Sequence, residues 1–480
     1  MINSSFVGRE KEIAVLKNAI QSNEAELVAI LGRRRVGKTF LVRTVYENRI
    51  EFEVTGLRNA NLKEQLQHFT NRLHIHARPN VPYQTPASWL EAFHLLTLYL
   101  LNKKFEEKIV LFFDEFPWIA TRKSGFVRAF GSFWNSWAAK NNVVVVICGS
   151  AASWMIQKVV RDRGGLHNRI TKRIHLSPFN LAETYTFLKS RWENIDYYNL
   201  VQIYMTTGGI PHYLKEVKGG KSAAQNIEQM FFSRSGFLHE EFNQLYPALF
   251  ENADLHIKII RLLAATWQGL TRKEIIERGK FSDGGSISKV LEELIQSDFI
   301  KPFYQFGKKK KGMYYRLMDE YSIFYLKFIE DQRLEEAGMW KKFSQTQTYK
   351  IWTGYAFENI CLRHIPQIKR ALGISGIYAE TSTYRSRANE EVEGTQIDFL
   401  IDRNDHLINL FEVKFHNTDF ILTQDYASKL RKKMGIFQHN TGTRKLCSWV
   451  LLTTFGLAAN KHSTGLVDHV ITMEALFEKA

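Results

Sequence analysis

Unbroken apolar runs of strand length recur along the first third of the chain: LVAIL at 27–31, IVLFF at 109–113 and VVVVIC at 143–148. A run without alternation predicts a parallel strand buried on both faces. Amphipathic stretches separate the runs, so residues 1–180 predict an α/β core with a parallel sheet. Helical periodicity alone fills 181–250, as in NLAETYTFLKSRW and NLVQIYMTT, and predicts a helical lid. From 256 to 319 the pattern reads helix, turn, helix, turn, helix, hairpin, within a segment bounded at 251–335. Thr271 and Ser286 are placed to cap its second and third helices. Ile287, Val290, Leu291 and Leu294 give the third helix one buried face. The hairpin tip is GKKKKG, 307–312. The last segment, 345–480, opens with an amphipathic helix at 352–365 that turns Phe357, Ile360 and Cys361 inward. Two apolar strands follow, QIDFLID and LINLFEVKF, joined by the polar turn RNDH, and then a helix at 424–436.

The polar residues at the ends of these runs carry the chemistry. The strand at 27–31 leads into G-x-x-x-x-G-K-T at 32–39 and a helix follows, which is the context a phosphate-binding loop requires. Gly32 and Gly37 let the loop turn its N–H groups inward, and the helix N-terminus adds positive potential. Lys38 is placed for the β- and γ-phosphates of ATP, and Thr39 for Mg²⁺. Arg33, Arg34, Arg35, Val36 and Phe40 complete the candidate phosphate contacts. A chance glycine-lysine turn is the alternative, and the strand–loop–helix order disfavours it. The second run ends in Asp114 and Glu115, and charges at such a strand end face the crevice where ligands bind. Asp114 suits the Mg²⁺ shell, and Glu115 suits the role of polarising the attacking water. Ser150 closes the third run, either to touch the γ-phosphate or water, or to cap a helix. Arg169 is the candidate to reach the γ-phosphate, in cis or from a neighbouring subunit of a homo-oligomer. Arg161, Arg163, Lys172 and Arg173 compete for that role.

FVGREKEI (6–13), GRRRVGKT, LFFDEFPWI, ICGS, NRITKRIHLSPF and TGGIPHYL (207–214) occur in this order. Together they resemble the archaeal-type ATPases, a branch of the signal-transducing P-loop NTPases related to AAA+ proteins, over residues 1 to about 330. The resemblance implies that Phe6, Val7, Gly8 and Arg9 lie near the adenine and that Pro211, in the lid, contacts the nucleotide. A plain helix–helix connection is the alternative for GGIP. Residues 256–319 resemble a winged helix-turn-helix, whose third helix suits a major groove and whose wing suits phosphates. Lys308, Lys309, Lys310 and Lys311 are the wing's candidate DNA contacts, with a solvated loop as the alternative. Lys289 is offset by Glu292 and Glu293, which argues against base reading by the helix. In the resembled ATPases the module often serves as a rigid spacer.

Side chains alternate along a strand, so Glu412 and Lys414 share a face, and a hairpin brings Asp398 alongside. Two carboxylates can hold Mg²⁺, and a lysine beside them can orient or deprotonate water and stabilise charge at phosphorus. Glu-x-Lys on a strand is also common as an exposed ion pair. The pattern D-x13-E-x-K with an upstream helix glutamate resembles the PD-(D/E)xK nucleases over about 345–480. That resemblance implies Asp398 and Glu412 as ligands of Mg²⁺ or Mn²⁺, helped by the Val413 carbonyl. It makes Lys414 catalytic and puts Glu358 at or beside the metal. Lys429, Arg431, Lys432 and Lys433 fall where DNA phosphates could run.

Charge agrees with a polyanionic partner such as DNA: 65 Lys and Arg against 49 Asp and Glu give a formal +16. The three cysteines are far apart and lack metal spacing, which suits a reducing, cytoplasmic compartment. No apolar run reaches the ~20 residues of a membrane span, and none reads as a signal peptide. The expected fold class is α/β: a P-loop NTPase core with helical lid, a winged helix and an α/β restriction-endonuclease-like domain. The expected activity is ATP hydrolysis coupled to metal-dependent DNA cleavage, in defence or mobile-element processing. The rival readings are a nucleotide-dependent switch or scaffold with a non-cleaving domain, and a DNA motor.

Overall fold

The computed structural model describes residues 6–103, 106–160, 164–308, 313–332, 338–386 and 394–479. The chain divides into two compact units. The first holds residues 1–178, 247–251 and 292–298, and the second holds 179–246, 252–291 and 299–480.

The first unit is built on five parallel strands in the order β2-β3-β4-β1-β5. They are β1 (Glu26–Leu31), β2 (Ile50–Thr55), β3 (Ile109–Asp114), β4 (Val143–Gly149) and β5 (Lys172–His175). β1, β3 and β4 are buried at every position, as their unalternating runs require. Around the sheet are α1 (Glu10–Gln21), α2 (Lys38–Val45), α3 (Leu62–Ala77), α4 (Trp89–Leu101) and α5 (Phe126–Ser136). Trp89, Phe93, Phe113, Phe126 and Phe130 pack together with ring centres 4.7–6.2 Å apart. Each such side chain contributes ~1.5–3 kcal/mol by leaving water. This order puts the carboxyl ends of β1, β4 and β3 side by side, and the polar residues there become neighbours.

The second unit begins with α6 (Leu181–Lys189), α7 (Tyr197–Thr207) and a short helix, Pro211–Leu214. Pro211 occupies the first turn of that short helix, where its missing N–H costs nothing. Next come α8 (Asp254–Ala264), β6 (Leu270–Thr271), α9 (Arg272–Gly279), α10 (Gly285–Gln296, whose residues 292–296 fall in the first unit), β7 (Ile300–Tyr304) and β8 (Met313–Leu317). The strands form an antiparallel sheet ordered β6-β8-β7. Thr271 caps α9 in a capping box with Glu274. Ser286 does not cap α10, because the helix already starts at Gly285 and Ser286 lies in its first turn. Ile287, Val290, Leu291 and Leu294 are buried, as their spacing predicts. Lys308 is exposed, and Lys309, Lys310 and Lys311 lie outside the described residues.

After α11 (Glu320–Phe328) and α12 (Gln347–Arg363), a five-stranded sheet takes the order β13-β12-β11-β10-β9. Its strands are β9 (Ala379–Ser386), β10 (Thr395–Arg403), β11 (Leu407–Lys414), β12 (Leu446–Thr453) and β13 (Val467–Thr472). β9, β10 and β11 are antiparallel neighbours, whereas β11, β12 and β13 run parallel. A parallel pair needs a long crossover, and α13 (Gln424–Thr441) supplies it between β11 and β12.

Three residues of α12, Glu358, Asn359 and Arg363, tie it to the β8–α11 segment. Arg316 Nη1 meets Glu358 Oε1 at 2.5 Å with both side chains 6% exposed. Asn359 Nδ2 donates to the Leu317 carbonyl at 3.1 Å, and Arg363 pairs with Glu320 at 2.9 Å while donating to the Met318 carbonyl. Removing one partner of a buried ion pair costs about 3–5 kcal/mol. No helix among the described residues is long and apolar enough to cross a membrane.

His364, at the end of α12, accepts a hydrogen bond from the Leu181 N–H at Nε2 (3.1 Å). The ring proton therefore sits on Nδ1, which donates to the Ile360 carbonyl at 2.7 Å. Burial pushes this imidazole down to about 4. Between the unfolded value near 6.5 and about 4, the unfolded chain binds the proton and the folded chain does not, so stability falls as pH drops through that window. Urea denaturation of the second unit should show a loss of about 2–3 kcal/mol from pH 7 to pH 4 that a His364→Phe variant lacks. An equal pH dependence in both proteins would refute the assignment.

Candidate functional site

Residues 32–39 wrap the end of β1. Gly32 has φ 144°, and a Cβ there would sit 2.3 Å from the Leu176 carbonyl oxygen, so only glycine fits. Gly37 (φ 94°) turns the chain into α2. Lys38 is buried inside the loop, where its ammonium donates to the carbonyls of Gly32 and Arg33, both at 2.9 Å. Burial pulls its pKa below the usual lysine value, against the attraction of Glu115 and Asp114. Thr39 Oγ1 donates to Asp114 Oδ2 at 2.8 Å, so the two expected Mg²⁺ partners touch across the ends of β1 and β3. Burial raises the Asp114 carboxyl, and Glu115 adds to that.

Glu115 takes a left-handed backbone conformation (φ 44°) that swings its side chain toward β4. There Ser150 holds one carboxylate oxygen twice, through Oγ at 2.7 Å and its N–H at 3.1 Å. Ser150 caps no helix in this arrangement, since the next one is preceded by Ala151. Phe6 and Phe40 stack at 5.5 Å with planes 12° apart. Arg9 is buried and donates to the Ser177 carbonyl at 2.6 Å, while Val7 is half-buried beside it in sequence. Arg33 and Val36 are buried, Arg34 and Arg35 are half-buried, and Arg169 is exposed in a turn before β5. Arg161 and Arg163 lie outside the described residues. Pro211 belongs to the second unit. A loop with a buried ammonium held by its own carbonyls, beside a hydroxyl–carboxylate pair, fits a nucleoside triphosphate with Mg²⁺.

The second candidate site lies on the C-terminal sheet. The β10–β11 register sets Phe399 against Phe411, and one step on, Val413 N–H donates to Asp398 Oδ2 at 2.8 Å. Glu412 is buried, with Lys414 on one carboxylate oxygen and Lys433 on the other, both at 2.8 Å. Tyr426 donates to it as well. Tyr426 and Lys433 both come from α13 and, being seven apart, share one helical face. Lys433, expected on the DNA-facing surface, is thus turned onto Glu412, while Lys429, Arg431 and Lys432 remain exposed. The sequence reading missed Tyr426 and Lys433 as partners, although their i, i+7 spacing on an amphipathic helix was visible.

Electrostatics separate the two carboxylates. Burial first, then Glu412 and Glu358, push Asp398 up to about 8. Burial also works against the charge on Glu412, but Lys414 and Lys433 outweigh it and hold that carboxyl at about 2. Burial opposes the Lys414 ammonium too, yet Glu412 and Asp398 hold it well above the usual lysine value. Lys414 is therefore a cation in this arrangement, able to orient a group or stabilise negative charge. Glu358 does not join as a third ligand, because Arg316 takes its carboxylate. Among the described residues no group of three or more His, Cys, Asp or Glu side chains is arranged to hold a metal ion. Asp398 and Glu412 remain as a pair, and a cation between them would have to compete with the two lysines.

Asp398 makes stability fall with rising pH. Unfolded it ionises near 4, and folded it keeps its proton to about 8, so the native state holds the extra proton across that window. Asp398→Asn should stabilise the chain at pH 8 by at least ~1 kcal/mol in urea denaturation and remove this part of the pH slope. A destabilised variant at pH 8 would contradict the raised value.

A family model described as an ATPase domain predominantly from Archaea matches residues 6–217. Two proteins of Methanocaldococcus jannaschii are similar in sequence. The uncharacterized protein MJECL04 is 26% identical over 416 residues, which are 85% of this chain and 87% of that one. The uncharacterized ATP-binding protein MJ0423 is 43% identical over 44 residues, 9% of this chain and 75% of that one. Among solved structures, the Walker-type ATPase paby2304 of Pyrococcus abyssi covers 67% of this chain and 96% of its own, at 16% identity and TM-score 0.49. The ORC2 protein of Aeropyrum pernix covers 72% and 98%, at 15% identity and TM-score 0.41. With the loop, Lys38, Thr39–Asp114 and Glu115 assembled at one sheet end, residues 6–217 are an archaeal-type ATPase domain.

Proposed function

We propose that this protein hydrolyses ATP in its first unit and uses the nucleotide cycle to control metal-dependent cleavage of DNA by the C-terminal sheet. For the first half, the carrying observation is the contact between Thr39 and Asp114 beside the buried Lys38. Bound Mg²⁺ would neutralise charge on the β- and γ-phosphates. Thr39 and Asp114 would hold it, Lys38 would turn from the loop carbonyls to the phosphates, and Glu115 would orient water once Ser150 releases it. Phe6 and Arg9 are the candidates around the base, and Arg169 the candidate for the γ-phosphate. Lys38→Ala should abolish binding of a fluorescent ATP analogue. Glu115→Gln should keep binding and slow turnover by roughly 100-fold or more. Full turnover by Glu115→Gln would remove Glu115 from this role.

For the second half, the support is an Asp398 pushed to about 8 beside Glu412, Glu358 and a cationic Lys414. Strongly shifted groups gathered at one place are the usual mark of a reacting site. A divalent ion on Asp398 and Glu412 would restore the ionised form of Asp398, and Lys414 would stabilise charge at phosphorus. A restriction-endonuclease-like fold is consistent with the order α12, β9, β10, β11, α13, β12. A winged helix is consistent with α8 to β8. Plasmid DNA incubated with Mg²⁺ or Mn²⁺ and ATP should be cut, and Asp398→Ala or Lys414→Ala should cut at least about 100-fold more slowly.

One observation favours a second reading, a nucleotide-dependent switch with a non-cleaving C-terminal domain. Both oxygens of Glu412 are already engaged by lysines, and Glu358 is in a buried ion pair. Intact plasmid under all these conditions, with normal ATP turnover, would decide for the switch.

A further inference from the structure

A groove of about 630 Å³ opens in the second unit between the β7–β8 hairpin, the edge strand β9 and the C-terminal end of α13. Gln305, at the end of β7, bridges to Thr383 of β9 and donates through Nε2 to the Arg385 carbonyl at 2.5 Å. Phe306 N–H donates to the Thr383 carbonyl at 2.9 Å. The two sheets are thus joined at the base of the groove, and its walls are fixed to each other.

The lining combines three chemistries. Lys308 and Arg385 are exposed, and among the described residues neither side chain has an ion pair or hydrogen bond. Tyr314 is half-buried on β8 and lines the groove. Tyr384 forms the floor, where it packs edge-on against Phe437 at 4.8 Å and accepts from Asn440 Nδ2 at 3.1 Å. Glu274, the acid of the lining, faces its own helix start, where Thr271 N–H and Oγ1 both donate to it at 2.9 Å. Two exposed cations, an aromatic side chain and side-chain amides match what a nucleic-acid strand needs: phosphate neutralisation, base stacking and edge contacts. The volume suits one or two nucleotides rather than a duplex.

Position supports the same occupant. Tyr384 pairs with Ile397 in the β9–β10 ladder, and Asp398 is the next residue on β10. Arg385 and Ser386 lie opposite Gln396 and Thr395, so the groove opens along the sheet end that bears Asp398 and Glu412. At ~3.3 Å per residue and ~4.8 Å per strand, the distance is about that of one or two nucleotides.

We infer that this groove seats single-stranded nucleic acid, with Lys308 and Arg385 on the phosphates and Tyr314 stacking on a base. The inference deepens the cleavage reading by naming its substrate form, and binding is separable from cutting. Fluorescence anisotropy of a labelled 20-nucleotide oligo-dT, with the full chain in EDTA, measures the groove while no metal-dependent reaction runs. Lys308→Glu/Arg385→Glu should weaken binding at least 10-fold and Tyr314→Ala about 5-fold or more. Melting temperature and binding of the ATP analogue should stay unchanged, which excludes misfolding. Equal affinity of the double variant and the parent protein would overturn the inference. So would tighter binding of a 20-base-pair duplex than of the single strand, or dTMP binding as tightly as the oligonucleotide. Binding lost in the double variant alongside intact plasmid in the cleavage assay would uphold the groove and reject the nuclease.

Discussion

A strand buried on both faces can carry polar groups only where it ends, and the chemistry of this protein follows from that constraint. β1, β3 and β4 are apolar along their whole length, so Lys38 and Thr39 after β1, Asp114 and Glu115 after β3, and Ser150 after β4 are displaced to one edge. The strand order then sets these ends next to one another. The C-terminal sheet repeats the solution with different connections: Glu412 and Lys414 come at the end of β11, and antiparallel pairing with β10 brings in Asp398.

Crowding of like charge gives the second site its character. Asp398 and Glu412 are one backbone hydrogen bond apart, yet one keeps a proton to about 8 and the other ionises at about 2. The difference lies in the neighbours, since Lys414 and Lys433 both point at Glu412 while Asp398 receives the Val413 N–H. Environments that drive two carboxyls apart in this way allow an acid and an anion to coexist in one pocket.

Much of this was legible in the sequence wherever a pattern was local. The three apolar runs, the loop at 32–39, the β10–RNDH–β11 hairpin and the Thr271 cap are each encoded within a few residues. What escaped was long-range pairing. The engagement of Glu358 by Arg316 spans 42 positions and leaves no periodic trace. Lys433 was read as a surface cation because a helix rich in lysine looks uniformly solvated until its neighbour strand is known. The cap of α10 was misplaced because Gly284 and Gly285 give no side-chain signal for the first turn.

The ties between α12 and the β8–α11 segment bear on how this architecture can be inherited. A gene break near residue 345 looks tidy in sequence, but it would part Arg316 from Glu358, Leu317 from Asn359 and Glu320 from Arg363. The tail would leave with an orphaned buried acid, and the remainder with an orphaned buried guanidinium. Recombination that shuffles the terminal sheet keeps these pairs only when the junction falls before β8, so that β8 and α11 travel with the sheet as one inheritable block.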